Sequence, residues 1–131
     1  MVNKSSLLAI KALAELALLP PGQCEGAASI ARRIDAPANY LGKLLQSLVP
    51  RKLVVSKKGK GGGFQLNKSP KKISLFDIVE CIEEGDRWSE CFLGYKQCMN
   101  ASPCCVHDQW KLVCETNINF LKKLTLYDLN Q

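Results

Sequence analysis

The chain has 131 residues, of which 47% are hydrophobic and 23% charged, and its formal net charge at pH 7 is +6. This length and apolar content allow a single domain with its own core, which excludes wholesale disorder. No apolar run reaches the roughly 18 residues that a transmembrane helix requires. Lys11 and Glu15 interrupt the apolar N-terminal stretch, so we expect a core helix there rather than a secretory signal, in a cytoplasmic protein.

The first part of the chain is predicted to form three helices. The first helix spans about Lys4 to Leu19 and is stopped by the PPG sequence at residues 20–22. The segment AASIARRI predicts a second helix at residues 27–34, and after a short break Pro37 fits the first turn of a third. Two short helices joined by a tight break are typical of a helix-turn-helix, whose second helix presents its outer face to the DNA major groove.

The third helix has two different faces. Apolar residues at helical spacing form one stripe, which we expect to be buried: Leu41, Leu44, Leu45 and Leu48. The outward positions are polar or small, and we expect them to face a partner: Asn39, Tyr40, Gly42, Lys43, Gln46 and Ser47. Asn and Gln side chains suit adenine, and Lys suits guanine. Asn39, Tyr40, Lys43 and Gln46 are therefore predicted to reach base edges.

A β-hairpin is predicted directly after this helix-turn-helix. The segment LVVSKKGKGGGFQLNK indicates two short strands, Leu53 to Ser56 and Phe64 to Leu66, joined by a glycine- and lysine-rich turn. Such a hairpin is the wing of a winged-helix domain, and its basic residues are expected to neutralise DNA phosphates: Lys57, Lys58 and Lys60. A phosphate-binding nucleotide loop is disfavoured, because neither of its usual glycine spacings is present.

The charge distribution supports a nucleic-acid partner. No Asp or Glu lies between Asp35 and Asp77, and we call residues 36–76 the basic region. The basic region contains half of the 18 Lys and Arg residues: Lys43, Arg51, Lys52, Lys57, Lys58, Lys60, Lys68, Lys71 and Lys72. A lysine surface that served only solubility would carry interspersed acidic residues. The basic region therefore favours a polyanion, either nucleic acid or an anionic membrane.

Two further helices are predicted in the second half of the chain. Ser74 fits the N-cap of the first, with Asp77 as a shortened capping box, and Gly85 ends it. The second is long and spans about Pro103 to Leu124, with one stripe formed by Val106, Trp110, Val113, Asn117, Phe120, Leu121 and Leu124. We expect this stripe to pair with the same helix of a second subunit. Packing on the N-terminal helix is the alternative, and we expect some of both.

The segment CFLGYKQCMNASPCCVH, residues 91–107, contains four of the seven cysteines and the one histidine. We call it the cysteine segment. Thiols stay reduced in the cytosol, so these residues are expected to bind metal or to react with oxidants. From the residues alone, an iron–sulfur cluster, a zinc ion and a thiol-redox switch all remain open; Cys104 and His107 have a spacing that suits zinc.

The other cysteines and the remaining chemistry point away from catalysis. Cys81 and Cys114 lie on or beside apolar stripes and are expected to be small core residues, whereas Cys24 lies in a loop without an evident partner. No CxxC pair is present, and no acid–base partner accompanies His107. The sequence therefore predicts no enzyme and no small-molecule substrate.

These segments together resemble a known family. The order SIARRIDAPANYLGKLLQSL, SKKGKGGGFQL, ISLFDIVECIEEG and then spaced cysteines is similar to the IscR/NsrR-type winged-helix transcription regulators of the Rrf-two family, over nearly the whole chain. The resemblance implies a homodimer on palindromic double-stranded operator DNA, with no membrane partner. It implies a winged helix-turn-helix domain at 1–84, a cluster-binding loop at 85–105, and a dimerisation helix and tail at 106–131.

The resemblance also implies a set of cluster ligands. The three cluster thiolates would be Cys91, Cys98 and Cys104, and the fourth ligand would be His107, with Cys105 as the alternative. A [2Fe–2S] cluster is favoured, a [4Fe–4S] cluster is possible, and its state would control DNA binding. Six residues separate Cys91 from Cys98, where the family usually has about five.

The family's groove-facing positions would be Asn39, Tyr40, Gly42 and Lys43, and its basic residue at the wing tip would be Lys58. Two of these positions differ from common family members. The wing tip often carries Arg, whose planar fork suits a narrow minor groove better than Lys does. The Gly42 position is Glu in some members, so the operator sequence does not follow from the family.

Overall fold

Helices dominate the computed structural model, which describes residues 2–83, 91–93 and 105–131. Three helices come first: α1 (Lys4–Leu16), α2 (Ala27–Ile34) and α3 (Ala38–Ser47). An antiparallel pair of strands follows, β1 (Val54–Lys57) and β2 (Gly63–Leu66), and then a short 3-10 turn at Pro70–Lys72. The remaining helices are α4 (Leu75–Ile82), α5 (Cys105–Lys123) and α6 (Leu126–Leu129). This mainly helical architecture with one hairpin confirms the predicted fold class.

The core lies where α1, α2 and α3 meet. Its fully buried residues come from all three helices: Ala9, Ala12, Leu13, Ile30, Leu41, Leu45 and Leu48. The alanines of α1 let the neighbouring helices approach closely, and burial of each leucine side chain contributes about 2 kcal/mol. Leu44 is only partly buried but packs against the same core. The predicted apolar stripe of α3 is therefore confirmed as its buried face.

The turn between α2 and α3 has a specific backbone geometry. Asp35 ends α2 in the left-handed conformation, with φ 55° and ψ 56°, and the Ala36 N–H donates to the Ala31 carbonyl over 2.9 Å. Asp tolerates this conformation better than most residues. Pro37 was predicted to lie in the first turn of α3. It is instead the N-cap, with an extended ψ of 125°, and so precedes that turn.

The hairpin is attached to the helices by a third extended segment. β1 pairs with β2 from Val54 opposite Leu66 to Lys57 opposite Gly63, so β1 lies one residue later than predicted and β2 begins one residue earlier. On its other side Phe64 exchanges two backbone hydrogen bonds with Glu25, over 2.9 and 2.8 Å. This pairing fixes the wing to the segment that leads into α2.

The second half of the chain closes the core. Ser74 and Asp77 form the predicted capping box at the start of α4, with hydrogen bonds of 3.0 and 3.1 Å. Helix α6 was not predicted. Its Leu126 is fully buried with residues of α1, and the Asn130 side chain donates to the Ala14 carbonyl over 3.1 Å. The residues after α5 therefore pack beside the N-terminal helix.

The predicted single stripe of α5 divides into two faces. Leu121 is buried against Leu75 and Val79 of α4, with Ile10 of α1 nearby, and Cys114 is buried as well. Val113 and Phe120 instead face solvent, with 40% and 55% of their surface exposed. Helix α1 also ends at Leu16, because residues 17–19 form a turn rather than the last turn of a longer helix.

Gly63 provides a test of the wing attachment. Its φ is +133°, and a Cβ atom there would lie 2.5 Å from the Glu25 carbonyl carbon and oxygen. We expect Gly63→Ala to lower the free energy of unfolding by at least about 2 kcal/mol, because backbone atoms must move. Urea unfolding measures this change. Gly42→Ala is the control, because its Cβ would meet only Ala27 Cβ, at 3.6 Å. Alanine favours a helix more than glycine does, so this variant should be as stable as wild type or up to about 1 kcal/mol more stable. Equal stability of the two variants would contradict the steric argument.

A charged cluster joins three elements of the fold. Arg33 of α2 forms ion pairs with Glu25, beside the wing, and with Glu15 of α1, the latter over 3.3 Å. The Ser29 hydroxyl also donates to Glu25, over 2.6 Å. The hydrogen bonds from Arg33 hold the pKa of Glu25 below its ordinary value of 4.5, although partial burial opposes this effect. Ionised Glu25 therefore contributes to stability.

The Glu25 cluster predicts a pH dependence. Because the pKa of Glu25 is lower in the folded state, its contribution is fully present above pH 4.5 and is lost as the pH falls through the folded-state pKa. We expect Glu25→Gln to destabilise by about 1 kcal/mol at neutral pH, and the difference from wild type to shrink in acid. Urea unfolding across this pH range measures it. Glu15→Gln removes a single contact that is more exposed than those of Glu25, so it should cost less stability. If the stability difference between Glu25→Gln and wild type did not change with pH, the assignment would be contradicted.

Candidate nucleic-acid interface and cysteine segment

Every charged side chain of the basic region is exposed, from Lys43 of α3 to Lys72 after the wing. These side chains extend over the end of α3, the wing and the 3-10 turn. Lys71 also lies over the ring of Tyr127, with Nζ 4.6 Å from the ring centre. A surface that is positive over this length, without an acidic residue of its own, attracts phosphates at long range.

A groove of about 580 Å³ lies along the outer face of α3, between α2 and β2. It is lined by Ala27, Ala28, Ala38, Asn39, Gly42, Lys43, Gln46 and Phe64. Asn39, Lys43 and Gln46 recur at helical spacing, so their polar ends are on one side of α3. The groove therefore offers small and apolar groups suited to a thymine methyl beside polar ends suited to base edges. The groove thus combines both kinds of contact that sequence-specific readers use.

Two hydrogen bonds hold α3 at its ends. Near the C-terminal end, the Gln46 amide donates to the Ser56 hydroxyl of β1 over 3.4 Å, which brings the base of the wing beside the outer face of α3. Near the N-terminal end, the Tyr40 hydroxyl is hydrogen-bonded to Ser5 of α1. Tyr40 does not line the groove, since it follows Asn39 and one residue turns a helix by about 100°. Sequence reasoning gave no sign of Ser5 or Ser56, because neither lies near its partner in the chain.

The tip of the wing is a tight turn. Gly59 and Gly61 have φ values of +89° and +80°, which other residues rarely adopt, and a Cβ on Gly62 would lie 2.3 Å from the Lys57 carbonyl oxygen. These glycines keep the turn narrow. The side chains of Lys57, Lys58 and Lys60 are all exposed around it. The structure therefore brings the predicted basic wing residues together on one projection.

Residues 91–93, at the start of the cysteine segment, pack on α5. The rings of Phe92 and Trp110 are 5.0 Å apart, tilted by 56°, a favourable aromatic geometry. Cys91 precedes Phe92 and is partly buried, and His107 lies one helical turn before Trp110 and is also partly buried. The aromatic contact thus places Phe92, the neighbour of Cys91, on the helix that carries His107. Sequence reasoning did not assign this role to Phe92.

The predicted ligands Cys98 and Cys104 lie outside the described residues, and Cys105 is described only as the first residue of α5. Across residues 2–83, 91–93 and 105–131, no three metal-binding side chains come together. The described donors, one thiol and one imidazole, are of the kinds that hold iron–sulfur clusters and zinc. Their chemistry fits either group.

The remaining cysteines differ in environment. Burial raises the pKa of Cys114, which is 3% exposed, and also that of Cys81, which packs against the core. Burial disfavours the thiolate form, so these thiols are less reactive than exposed ones. Their predicted role as core residues is confirmed. Cys24 is not isolated: its thiol is 3.5 Å from the Gln65 side-chain oxygen of β2.

A helix-turn-helix with an attached basic wing defines a winged-helix DNA-binding regulator. The chain belongs to the Rrf2 family, described as "Iron-dependent Transcriptional regulator", which matches residues 2–131. The predicted family is therefore confirmed. Because the family and the relatives are transcriptional regulators, the expectation of a regulator rather than an enzyme is confirmed too. Among the helices of the described residues, none combines the length and apolarity needed to cross a membrane.

Individual relatives agree with this assignment. A protein of Aquifex aeolicus (strain VF5), named as an HTH-type transcriptional regulator, is 34% identical over 102 residues, covering 76% of this chain and 71% of its own. The solved structure of T. potens IscR has a TM-score of 0.79 and 25% identity, covering 98% of this chain and 85% of that one. CymR, the global cysteine regulator of B. subtilis, has a TM-score of 0.83 at 22% identity, over 98% and 95%, and shares the fold.

Proposed function

We propose that this regulator acts in the cytoplasm as a homodimer on double-stranded operator DNA, and that an iron–sulfur cluster in the cysteine segment controls its binding. One observation carries the DNA-binding part: the groove along α3 and the wing lie side by side, and every charged side chain of the basic region, which supplies α3 and the wing, is basic and exposed. Phosphate attraction by that surface would supply affinity, and the groove would supply sequence preference.

The reading face and the wing divide the work of DNA recognition. Asn39 and Gln46 would pair with adenine edges, and Lys43 with guanine. Lys57, Lys58 and Lys60 would contact phosphates and enter the minor groove. Tyr40 belongs to the predicted DNA-binding set, and its exposed ring lies at the start of α3, where it can border the duplex.

The exposed face of α5 supports the homodimer. Leu112, Val113 and Phe120 are 63%, 40% and 55% exposed, and with Thr116 and Asn117 they line a groove of about 470 Å³. An apolar face on a long helix would be covered by the same face of a second copy around a two-fold axis. Two copies would then place two α3 helices on half-sites about 34 Å apart. In this proposal, residues 1–84 form the DNA-binding domain, residues 85–105 the cluster-binding loop, and residues 106–131 the dimerisation helix and tail.

The sensory part rests on the cysteine segment and on the family's iron dependence. Cys91, Cys98, Cys104 and His107 would hold the cluster, with Cys105 as the alternative fourth ligand and [2Fe–2S] favoured over [4Fe–4S]. A bound cluster would supply a redox-active iron centre linking the segment to α5. The Phe92–Trp110 contact supports this arrangement, because it holds Phe92, the residue after Cys91, against the helix that carries His107.

A second candidate is a regulator that senses zinc or thiol oxidation without a cluster. The spacing of Cys104 and His107 suits zinc. CymR, which shares this fold, is described as a global cysteine regulator. Both candidates share the DNA-binding surface and differ only in what the cysteine segment holds.

The wing gives the first test of DNA binding. We expect Lys58→Glu to weaken binding to a selected duplex by about tenfold or more, and to reduce the salt dependence by about one phosphate contact, because an exposed basic residue at the tip is reversed. Fluorescence anisotropy at several salt concentrations measures both. Lys11→Glu, an exposed reversal on α1 outside the basic region, is the matched control and should bind almost normally. If both variants lost the same affinity for the duplex, the proposed role of the wing in DNA binding would be wrong.

The ligand set gives the test of sensing. Protein purified without oxygen should contain iron and sulfide and absorb visible light, and Cys91→Ala, Cys98→Ala or Cys104→Ala should each lose most of the iron, because each removes a thiolate. Cys24→Ser, which lies beside β2, should retain it. Comparing His107→Ala with Cys105→Ala identifies the fourth ligand by the change in the absorption spectrum. Iron-free protein after reconstitution with intact thiols would refute the cluster; bound zinc would favour the second candidate.

A further inference from the structure

The first turn of α1 is bonded on two sides. On one side, the Ser5 hydroxyl is hydrogen-bonded to the Tyr40 hydroxyl of α3. On the other, the Ser6 hydroxyl donates to the Glu83 carboxylate over 2.7 Å, and the Asn3 backbone N–H donates to the same oxygen over 3.3 Å. Glu83 is the C-cap of α4 and the last described residue before the chain continues toward the cysteine segment.

We propose that Tyr40 is a positioning residue for DNA recognition. Its hydroxyl ties α3 to the first turn of α1, and that turn, held by Glu83, ties α3 to the end of α4. This inference rests on the proposed function only in that α3 reads DNA. The Tyr40 hydroxyl has its partner, Ser5, within the protein. Tyr40 therefore acts by orienting α3 rather than by touching a base.

The need for such a tie follows from how α3 is packed. Leu41, Leu45 and Leu48 fix the depth of the helix in the core, but apolar contacts have little directionality, and a helix can roll over them by a small angle. A roll would move all the groove-lining side chains of α3 relative to the wing. Hydrogen bonds are directional, and α3 has one at each end, through Tyr40 and through Gln46. Together they fix its rotation.

The bonds to Glu83 make the first turn of α1 a firm attachment point. Ser6 is fully buried, so its hydroxyl bond to Glu83 is sheltered from water, and loss of its partner would leave a buried polar group unsatisfied. The Asn3 side chain caps the same turn by accepting from the Ser6 N–H over 2.8 Å. A displacement at the end of α4 would therefore be passed to the turn, and through Ser5 to Tyr40.

The test uses the duplex that the wild-type protein selects from a pool of random-sequence duplexes. We expect Ser5→Ala and Tyr40→Phe each to weaken binding by about fivefold to tenfold, and the double variant to lose no more than either alone, because both remove one bond. Single base-pair changes in the duplex should cost every variant the same factor as wild type. Ser5→Thr, which keeps a hydroxyl, should bind like wild type.

A second pair of variants tests the link to α4. We expect Glu83→Gln to weaken binding by about threefold or more and to be non-additive with Tyr40→Phe, because both act through the same turn. Glu80→Gln is the matched control, since it removes an exposed carboxylate one turn earlier on α4 and should have no effect. Additive losses for Glu83→Gln and Tyr40→Phe would overturn the link, while leaving the tie between α1 and α3 to be judged by the first pair.

Several outcomes would overturn the positioning role itself. If Ser5→Ala bound the duplex normally while Tyr40→Phe bound it more weakly, the tyrosine hydroxyl would touch DNA itself. The same conclusion would follow if Tyr40→Phe changed the preference at only one base pair. If the wild-type protein selects no duplex, the proposed function fails instead, and thermal unfolding then judges the tie alone. Ser5→Ala and Tyr40→Phe must be non-additive in that measurement, and additive effects would overturn the tie.

Discussion

Leu41, Leu45 and Leu48 are withdrawn from water completely, and they lie on one side of α3. The small residues of α1 let this side sink into the core, and α2 covers it from the flank. Because a helix has two opposite faces, burying the leucines obliges Asn39, Lys43 and Gln46 to face outward. The outer face of α3, which is proposed to contact DNA, is therefore a consequence of the core and would be lost with it.

The wing shows how backbone geometry and charge work together. Glycine at position 63 allows β2 to approach the Glu25 backbone, and Glu25 in turn is bonded to Arg33 of α2. The basic tip of the hairpin is thus anchored through a sheltered carboxylate at its base. Glu25 thus links the base of the wing to α2, whereas the basic region, which is proposed to contact phosphates, contains no acidic residue. This separation of charges follows from the sequence order itself.

Local signals explain which predictions were confirmed. Helix α2 was predicted with its observed bounds, and the Ser74–Asp77 capping box was recognised, because each depends on residues within one or two turns. Helix α6 was missed, although Thr125 and Asp128 form a local capping box at its start. The Glu25–Phe64 pairing and the Ser5–Tyr40 bond instead depend on partners far away in the chain, and no periodicity encodes them. The single predicted stripe of α5 became two faces for the same reason: α4 selects which apolar residues it covers. Cys98 and Cys104 lie outside the described residues, so the ligand set stays a prediction.

The end of α5 is fastened by backbone bonds. The Leu75 N–H donates to the Leu124 carbonyl over 2.9 Å, and the Leu126 N–H donates to the Ile73 carbonyl over 3.0 Å, on either side of the bridge between Ser74 and Thr125. The opposite end of the helix begins at Cys105, inside the cysteine segment. The C-terminal end of α5 is held further by Leu121, which is buried against Leu75 and Val79 of α4. One helix thus joins the cysteine segment to the residues that begin α4, and moving its C-terminal end would require these backbone bonds to break.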